Sequence, residues 1–533
     1  MAGSVPRGPA RLEASDALDE TTRDRLLRRV DWRFLLPSPR PTTAAIAADG
    51  LLARAVSCVA DQVLPLADAP AGASDLVVVR NPGPRILAEA HRALRPGGAC
   101  YGEWSSPLAG RSAATMLRRA GFRGVQRYWP WPAPNRRRPS FWLPLDAPAA
   151  LDYFLATRRE RRPTTRRDDA VAFVWRLARR LDLLAPVAGV GVKAGGGAAG
   201  VLEPHGAVGG TAAWLLLTGG ERSLNKVVAL AFVDAEPAPQ AAVKLARVPE
   251  AEPALEREAA NLRAIGAAAG AAPELLFLER REGILMLGES VRTGRPLSLL
   301  LTRGTLPRLA LAVTDWLARL ATEQPREWRT DWRDDVAEPA VQQFARAFAP
   351  VVSEAGLNAT RRALDRLGEL PVVPEHRDCA PWNLLLSSDG ELVALDWESS
   401  EPRGLPVLDL AYFLAYAAFF VDGAMESGAF RDSYAAALDP TTELGRVVED
   451  CFSLYCARLG IDPAAVGPLR LLSWLVHARS EHVRLAQDAA GAPSAAALGD
   501  SVFLTLWREE LRRQDRRGLE HERSGPGIRS HEP

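Results

Sequence analysis

Lysine is nearly absent from this 533-residue chain, and cysteine is sparse. Of 66 basic residues, only Lys193, Lys226 and Lys244 are lysines. The five cysteines are scattered and form no Cys-x-x-Cys pair, which argues against a disulfide framework or a zinc site. No uninterrupted apolar run reaches the roughly 18 residues that a membrane-spanning helix needs, and the N-terminal residues contain no apolar signal core. We therefore expect a cytoplasmic protein without a transmembrane segment.

The net charge of +1 gives no global reason to expect a nucleic-acid partner, and the length exceeds that of one ordinary domain. Lysine and arginine are not interchangeable, because lysine is a compact charge on a flexible stem. The few lysines that remain in an arginine-rich chain are therefore candidates for specific binding. Lys226 and Lys244 fall where the motifs described below place a nucleotide.

The most informative segment runs from His376 to Asn383 and reads H-R-D-C-A-P-W-N, with Asp396 following 13 residues after Asn383. Kinase-type enzymes use a carboxylate to orient the acceptor hydroxyl, and an Asn with an Asp to hold Mg²⁺ on the nucleotide phosphates. The residues between these positions form two apolar runs around Asp389-Gly390, which favours a hairpin with a two-residue turn. That register predicts Asn383 directly opposite Asp396.

A glycine-bearing turn and a lysine-bearing strand precede this segment. The turn, 218–223, reads T-G-G-E-R-S between two apolar strands, and its backbone N–H groups and Ser223 could approach phosphates. Lys244 lies in the apolar stretch AAVKLAR, where a half-buried lysine needs an anion. Glu258 on the following helix is the predicted partner, in preference to Glu256, which points away from the apolar face of that helix. The alternative for Lys244 is an edge-strand lysine with its head in water.

These motifs resemble those of the aminoglycoside phosphotransferases and choline-kinase-like small-molecule kinases, over about residues 205–510. The resemblance implies a bilobal, protein-kinase-like α+β fold, with ATP and Mg²⁺ as cofactors. It also implies individual roles: Asp378 as catalytic base, Asn383 and Asp396 as Mg²⁺ ligands, Lys244 and Glu258 as the phosphate-orienting pair, Gly219, Gly220 and Ser223 as the nucleotide-binding loop, Met286 and Leu287 as part of the adenine hinge, and His376 and Asp409 as supports of the catalytic loop.

Two residues depart from the family pattern. Arg377 stands where family members often have glycine, which gives the His-Arg-Asp of protein kinases. Glu398 follows Asp396 by two residues, and either reaches a second metal ion or has a structural role. The C-terminal region is apolar and aromatic, whereas a polycationic aminoglycoside prefers a pocket rich in carboxylates. The sequence therefore favours a sugar or a lipid-linked metabolite as the acceptor.

Before residue 195, short apolar runs alternate with helical patterns, which indicates a parallel α/β sheet. We predict strands at WRFLLPS (32–38) and SDLVVVR (74–80), and a helix over about 42–55. SDLVVVRN, then ILAEAHRALRPGGACYGEW, then LRRAGF resemble the second half of a class I S-adenosylmethionine methyltransferase. The predicted first strand runs into Pro37–Pro41 instead of a glycine-rich turn, and proline lacks the N–H donor. We therefore expect S-adenosylmethionine to bind weakly or not at all.

Two weaker features stay open. The Arg-rich segment 158–167 could touch a polyanion or an acidic lipid, although a solvated helix is the commoner interpretation. His477 and Glu481 share a helical face, but a metal site would need more ligands. The chain from 514 onward is polar and ends in Gly and Pro, so we expect a disordered tail there.

The sequence thus predicts a Rossmann-like, methyltransferase-like α/β domain without a catalytic role over 1–195, a protein-kinase-like α+β domain over 196–513 and a disordered tail over 514–533. The kinase N-lobe would span about 206–290 and the C-lobe about 291–513. The predicted function is ATP- and Mg²⁺-dependent phosphorylation of a hydroxyl on a small-molecule or glycan-like acceptor. The alternatives are a bifunctional protein that still transfers methyl groups and a non-enzymatic pseudokinase that acts as a binding module.

Overall fold

The structure is a computed structural model that divides into two compact units. Unit 1 comprises Met1–Ala259 and Glu274–Val291, and unit 2 comprises Ala260–Pro273 and Arg292–Pro533. This division does not fall at 195/196, and the domain boundary predicted there stays a prediction. The residues that the structure describes are 19–48, 50–132, 139–160, 166–195, 202, 212–219, 224–233, 236–266, 270–323, 326–488 and 491–523.

A large mixed sheet dominates unit 1. Its strands, within the described residues, are β1 Thr43–Ala47, β2 Gln62–Pro65, β3 Ser74–Arg80, β4 Leu94–Trp104, β5 Phe122–Trp131, β6 Phe141–Pro144, β7 Val187–Lys193, β8 Ala212–Leu217, β9 Val227–Val233, β10 Ala241–Leu245, β11 Leu275–Arg281 and β12 Ile284–Ser290. These strands form one sheet in the order β11-β12-β10-β9-β8-β6-β5-β7-β4-β3-β1-β2. The four strands β2, β1, β3 and β4 are parallel neighbours. Parallel strands are therefore present in the first half of the chain, and the methyltransferase-like assignment stays a prediction.

The sheet continues from the first half of the chain into β8–β12, of which β10 carries Lys244. β6 pairs with β8 through Phe141 opposite Leu217 and Trp142 opposite Leu216. The helices of unit 1 that the structure describes are α1 Glu20–Arg29, α2 Gly50–Val56, α3 Pro84–Ala93, α4 Pro107–Arg119, α5 Pro148–Glu160, α6 Arg166–Arg180 and the first part of α7 Glu252–Ile265. Proline at the first or second position opens α3 and α4, where its missing N–H costs nothing.

Both faces of the sheet are buried, which explains the continuous apolar runs of its central strands. Successive strand residues point to opposite faces. Leu76 and Val78 therefore lie in one core cluster of unit 1, and Val77 and Val79 lie in the other. The strand predicted at 74–80 is confirmed as β3.

Two predicted elements near the N-terminus are wrong. The segment WRFLLPS is not a strand, because Asp31–Leu35 form a 3₁₀ helix. The ring of Trp32 stacks on Tyr101 at 3.7 Å, and this long-range packing overrides the strand propensity of the segment. The helix predicted over 42–55 is strand β1 followed by α2, because the alanines of β1 lie buried between two other strands. Tertiary position outweighs the helix propensity of alanine here.

This correction removes the argument against S-adenosylmethionine. Pro37–Pro41 precede the first strand, so they do not shape the turn after it. Gly50 follows β1 instead, with a φ of 61° and open space where a Cβ would stand. Glycine at such a turn permits close approach to the backbone. The expectation of weak cofactor binding therefore stays a prediction without its original physical basis.

Unit 2 is mostly helical. Its helices in the described residues, besides the end of α7, are α8 Leu306–Thr322, α9 Glu338–Ala347, α10 Glu354–Asp365, α11 Leu408–Asp422, α12 Ala424–Ser427, α13 Phe430–Ala437, α14 Glu443–Leu459, α15 Val466–Asp488, α16 Ala495–Gly499 and α17 Val502–Arg523. Its short strands are β13 Arg295–Pro296, β14 Trp328–Arg329, β15 Leu370–Pro371, β16 Val373–Glu375, β17 Leu384–Leu386, β18 Leu392–Ala394 and β19 Glu401–Gly404. None of the helices described in the two units is long and apolar enough to cross a membrane.

The C-terminal helix corrects the predicted tail. α17 continues to Arg523, so residues 514–523 are helical and not disordered. Five of the ten residues 514–523 are Arg or Glu, which favour helices. Residues 524–533 lie outside the described part of the chain.

Candidate active site

A buried turn after β16 carries the predicted catalytic residues. The carboxylate of Asp409, at the start of α11, accepts the backbone N–H groups of His376 at 2.5 Å and Arg377 at 2.8 Å. Arg377 has a left-handed φ of 61°, a conformation that costs a non-glycine residue about 1–3 kcal/mol. Its guanidinium donates to Glu375 at 2.9 Å. These contacts fix the turn that presents Asp378.

His376 holds the loop from inside the core. It is fully buried, and its Nδ1 accepts the backbone N–H of Asp378 at 3.2 Å. Its Nε2 therefore carries the proton and donates to the carbonyl of Leu395 at 2.9 Å. The ring also meets the edge of Trp397 at 4.6 Å between centroids. With both nitrogens engaged, His376 positions the backbone and is not placed to exchange protons with a substrate.

Asp378 is oriented by two donors. The amide nitrogen of Asn383 donates to Oδ2 of Asp378 at 2.8 Å and to its carbonyl at 2.9 Å. The hydroxyl of Tyr412, on α11, donates to Oδ1 at 3.2 Å. Burial is the main cause that raises the pKa of Asp378 to about 7, and the nearby charge of Asp396 adds to the rise. A carboxyl group with a pKa near neutrality matches the requirement for a general base.

The hairpin after Asn383 has a different register from the predicted one. Leu384 pairs with Ala394 and Leu386 pairs with Leu392, so Leu395, and not Asp396, stands opposite Asn383. The N–H of Leu395 donates to the carbonyl of Asn383 at 2.9 Å. The turn has three residues instead of two, with Gly390 at a φ of 90°, a common form in which a left-handed residue closes the loop. The prediction of a two-residue Asp-Gly turn is therefore wrong by one residue.

Asp396 still reaches the same neighbourhood. It adopts a left-handed φ of 66° two residues after the end of β18, and its charge acts on Asp378. Glu398, also half-buried, raises the pKa of Asp378 in the same direction. The amide nitrogen of Asn383 donates to Asp378, so the Oδ1 atom of Asn383 is the group that could bind a cation. Carboxylate and amide oxygens are ligands that Mg²⁺ accepts, so this donor set fits the ion.

In unit 1, Lys244 belongs to a buried charge cluster. It is 7% exposed on β10, between β9 and β12, and is not an edge-strand lysine in water. Its Nζ lies 2.5 Å from Oε1 of Glu258 and 3.1 Å from Oε2 of Glu289. Lys226 lies 2.9 Å from the other oxygen of Glu258. Burial raises the pKa of Glu289, and Lys244 opposes that rise.

The structure brings together some predicted residues and separates others. Glu258 is fully buried against Lys244, whereas Glu256 is exposed, as the face of α7 suggested. Met286 and Leu287 are buried inside β12, and their backbones pair with both β10 and β11. Strands therefore flank both residues, and their assignment to an adenine hinge stays a prediction.

The glycine loop is only partly described. Gly219 is exposed at the end of β8, while Gly220 and Ser223 lie outside the described residues.

Sequence reasoning missed three residues of the two clusters, and it assigned no partner to Lys226, which the scarcity of lysine had already singled out. Lys226 and Glu289 join the lysine cluster, and Tyr412 and Glu375 join the catalytic turn. The three missed residues are ordinary residues at the ends of apolar stretches, and no local pattern distinguishes them.

One family model matches a part of the chain that carries residues of both clusters. Residues 229–447 match the model of a phosphotransferase enzyme family. That range contains the catalytic turn of unit 2 and both Lys244 and Glu258. No curated protein matches the sequence significantly.

Solved structures show a distant likeness. An aminoglycoside phosphotransferase in complex with ADP and hygromycin B is 16% identical, with a TM-score of 0.36, over 56% of this chain and 95% of that chain. A second, from Streptomyces rimosus ATCC10970 with ADP and streptomycin, is 18% identical, with a TM-score of 0.29, over 46% of this chain and 90% of that chain. A spectinomycin phosphotransferase with ADP and spectinomycin is 11% identical, with a TM-score of 0.32, over 56% of this chain and 93% of that chain. Scores this low carry no argument about the acceptor.

Proposed function

We propose, from the match of residues 229–447 to the phosphotransferase enzyme family, that the protein transfers a phosphoryl group from ATP to a hydroxyl of a small-molecule or glycan-like acceptor. One observation carries this proposal. Asp378 has its two carboxylate oxygens oriented by Asn383 and Tyr412, and its pKa is raised to about 7. A general base needs an oriented carboxyl group with a pKa near the working pH, and Asp378 combines both with its place in the His-Arg-Asp turn inside the matched range.

In the proposed reaction, Asp378 accepts the proton of the acceptor hydroxyl while the hydroxyl oxygen attacks the γ-phosphorus and ADP leaves. Asn383 and Asp396 would hold Mg²⁺, which neutralises charge on the phosphates. Glu398 is a further candidate ligand. Lys244, oriented by Glu258, would supply a compact cation to the phosphates. Burying two charged groups costs free energy, and binding of the phosphates would account for keeping this pair buried.

An aromatic wall beside the base supports an uncharged acceptor. Trp382, four residues after Asp378, is 38% exposed, and its ring lies 5.1 Å from Tyr416 and 6.2 Å from Phe420 between centroids. Such a surface can cover the apolar face of a ring. We call these three residues the aromatic wall. A sugar ring carries such an apolar face together with its hydroxyl groups.

The charged groups near the wall do not favour a polycation. Burial lowers the pKa of His477, which stacks on Tyr412, to about 3, so the ring is neutral. Glu481, whose charge acts on Tyr416, is paired with Arg484 at 3.7 Å and accepts the hydroxyl of Ser501. A sugar or a lipid-linked metabolite therefore suits the wall better than an aminoglycoside, which would require free carboxylates.

The test is a screen of acceptors with labelled ATP and Mg²⁺, comparing neutral sugars, lipid-linked sugars and aminoglycosides. Transfer that depends on Asp378 supports the proposal, and transfer with the Asp378→Asn variant at the wild-type rate contradicts the assigned base. ATP binding without transfer to any acceptor or to water would favour the pseudokinase alternative. Trp382→Ala should raise KM for a neutral acceptor and leave KM for ATP unchanged.

A second candidate function rests on the turn after β1. Gly50 has a left-handed backbone with open space around its Cα, next to four parallel strands. This is compatible with a cofactor at the carboxyl ends of the strands. Calorimetric titration with S-adenosylmethionine tests whether this region binds the cofactor. A dissociation constant no better than about 1 mM, which corresponds to about 4 kcal/mol of binding free energy, supports a scaffold role. Micromolar binding supports the bifunctional alternative.

A further inference from the structure

An exposed apolar face runs along α6 in unit 1. Six large apolar side chains between 171 and 183 are exposed, and the most exposed are Phe173 at 66% and Val174 at 56%. The set is Val171, Phe173, Val174, Leu177, Leu181 and Leu183. Residues three, four and seven apart lie on one side of a helix, so Phe173, Val174, Leu177 and Leu181 form one continuous stripe. We call this stripe the α6 face.

The α6 face is not the side by which the helix packs on its own unit. Trp175 makes that contact, with ring centroids 4.7 Å from Trp129 and 5.6 Å from Trp131 on β5. Arg176 donates to Asp152 on α5 at 2.8 Å, which fixes the helix further. Residues outside the α6 face therefore make the contacts of α6 with the rest of unit 1. Contiguous exposed apolar surface of this kind marks a site of interaction.

The charge of the surrounding segment is strongly positive. Between residues 158 and 180 the sequence has nine arginines and three acidic residues, a net charge of +6, whereas the whole chain carries +1. α6 itself, Arg166–Arg180, carries five of these arginines and two of the acidic residues, a net charge of +3, and Arg176 is paired with Asp152. An exposed apolar stripe and an excess of positive charge therefore lie on the same helix.

We propose that the α6 face docks unit 1 onto an anionic lipid surface. Helices that lie in a membrane interface combine an apolar side that enters the acyl boundary with arginines that meet anionic headgroups. A second copy of this chain fits less well, because it would bring two segments of +6 together. A nucleic acid would satisfy the arginines and leave the apolar stripe unused. This docking is independent of the proposed phosphotransferase chemistry.

The experiment is co-sedimentation of the full chain with vesicles. One set contains phosphatidylcholine alone, and the other contains phosphatidylcholine with about 30% phosphatidylserine, a content that makes the surface clearly anionic. We expect binding to the anionic vesicles, weakened at high salt because the headgroup attraction is screened. Phe173→Asp combined with Leu177→Asp should reduce partitioning by about tenfold or more, since each change removes inserted apolar area. Both side chains are exposed, so the fold tolerates the changes.

Two matched variants sharpen the result. Leu108→Asp alters a side chain that is 72% exposed on α4 of the same unit, and it should bind vesicles like the wild type. Arg180→Glu, at an exposed arginine, should lower binding to anionic vesicles while leaving the circular dichroism spectrum unchanged. The proposal is overturned if anionic vesicles do not retain the wild-type chain at low salt. It is equally overturned if the Phe173/Leu177 variant binds like Leu108→Asp, or if that variant instead abolishes a dimer detected by light scattering.

Discussion

Replacing Asp378 by Asn should abolish most phosphoryl transfer without disturbing the catalytic turn. In the wild type, Asn383 donates to Oδ2 of Asp378 and Tyr412 donates to Oδ1. An asparagine at 378 can keep its carbonyl oxygen toward Asn383 and turn its amide toward the hydroxyl oxygen of Tyr412, which can accept as well as donate. Both local hydrogen bonds survive, so the change removes only the proton acceptor.

The expected loss follows from that accounting. General-base catalysis contributes about 10²–10⁴-fold, and at 1.36 kcal/mol per tenfold the lower limit corresponds to about 2.7 kcal/mol in the activation free energy. The assay follows labelled phosphate from ATP to an acceptor found in the screen. Calorimetry measures Mg·ATP affinity in parallel, and that affinity should stay near the wild-type value. A turnover equal to the wild type would refute the assignment of the base, and an unfolded variant would refute the hydrogen-bond argument.

Three further predictions concern the metal, the lysine cluster and a buried ion pair. Asp396→Ala should sharply weaken Mg²⁺-dependent nucleotide binding measured by calorimetry, and Asn383→Ala should do so less; unchanged affinity in the first variant would contradict the Mg²⁺ assignment. Lys244→Arg should lose nearly as much turnover as Lys244→Ala, because a broad guanidinium does not fit where a compact cation is shared between buried carboxylates. An active Arg variant would instead indicate that Lys244 has only a structural role. The ion pair of Asp31 with Arg247, at 2.8 Å and fully buried, predicts that Arg247→Met lowers the free energy of unfolding by about 3–5 kcal/mol. Adding Asp31→Leu to that variant should restore most of the lost free energy of unfolding, as measured by denaturant titration. If the double variant is as unstable as the single one, the loss comes from packing and not from the unpaired charge of Asp31.

The candidate catalytic residues were predictable because they are defined by residue types at short spacings along the sequence. The spacing from His376 to Asn383 predicts a turn, and the residue types within it predict a base and a metal ligand. The structure adds what holds the turn, namely Asp409 and Tyr412, which follow Asp378 by more than 30 residues. The match of residues 229–447 to a phosphotransferase family agrees with the sequence reading of this region.

The bounds of a strand were predictable only where both of its faces are buried, because such a strand appears in the sequence as a continuous apolar run. β3 reads as a run of apolar residues, and the structure places it at Ser74–Arg80 as expected. The alanine-rich β1 and the segment at 32–38 were misassigned, because their conformations depend on neighbours far along the chain. The hairpin register failed by one residue, since Asp-Gly permits both two- and three-residue turns and the sequence does not select between them.

By itself the sequence determined the proposed chemistry: a candidate carboxylate base, an amide and a carboxylate of the types that Mg²⁺ accepts, and a lysine kept where arginine is otherwise used. Those features are visible because residue type and local spacing carry them. Only the tertiary structure decided that Lys226 and Glu289 share the charge of Lys244 and Glu258, and that strands on either side of residue 195 belong to one sheet. Side-chain contacts and strand pairing between distant segments depend on how the chain packs, and no local pattern encodes them.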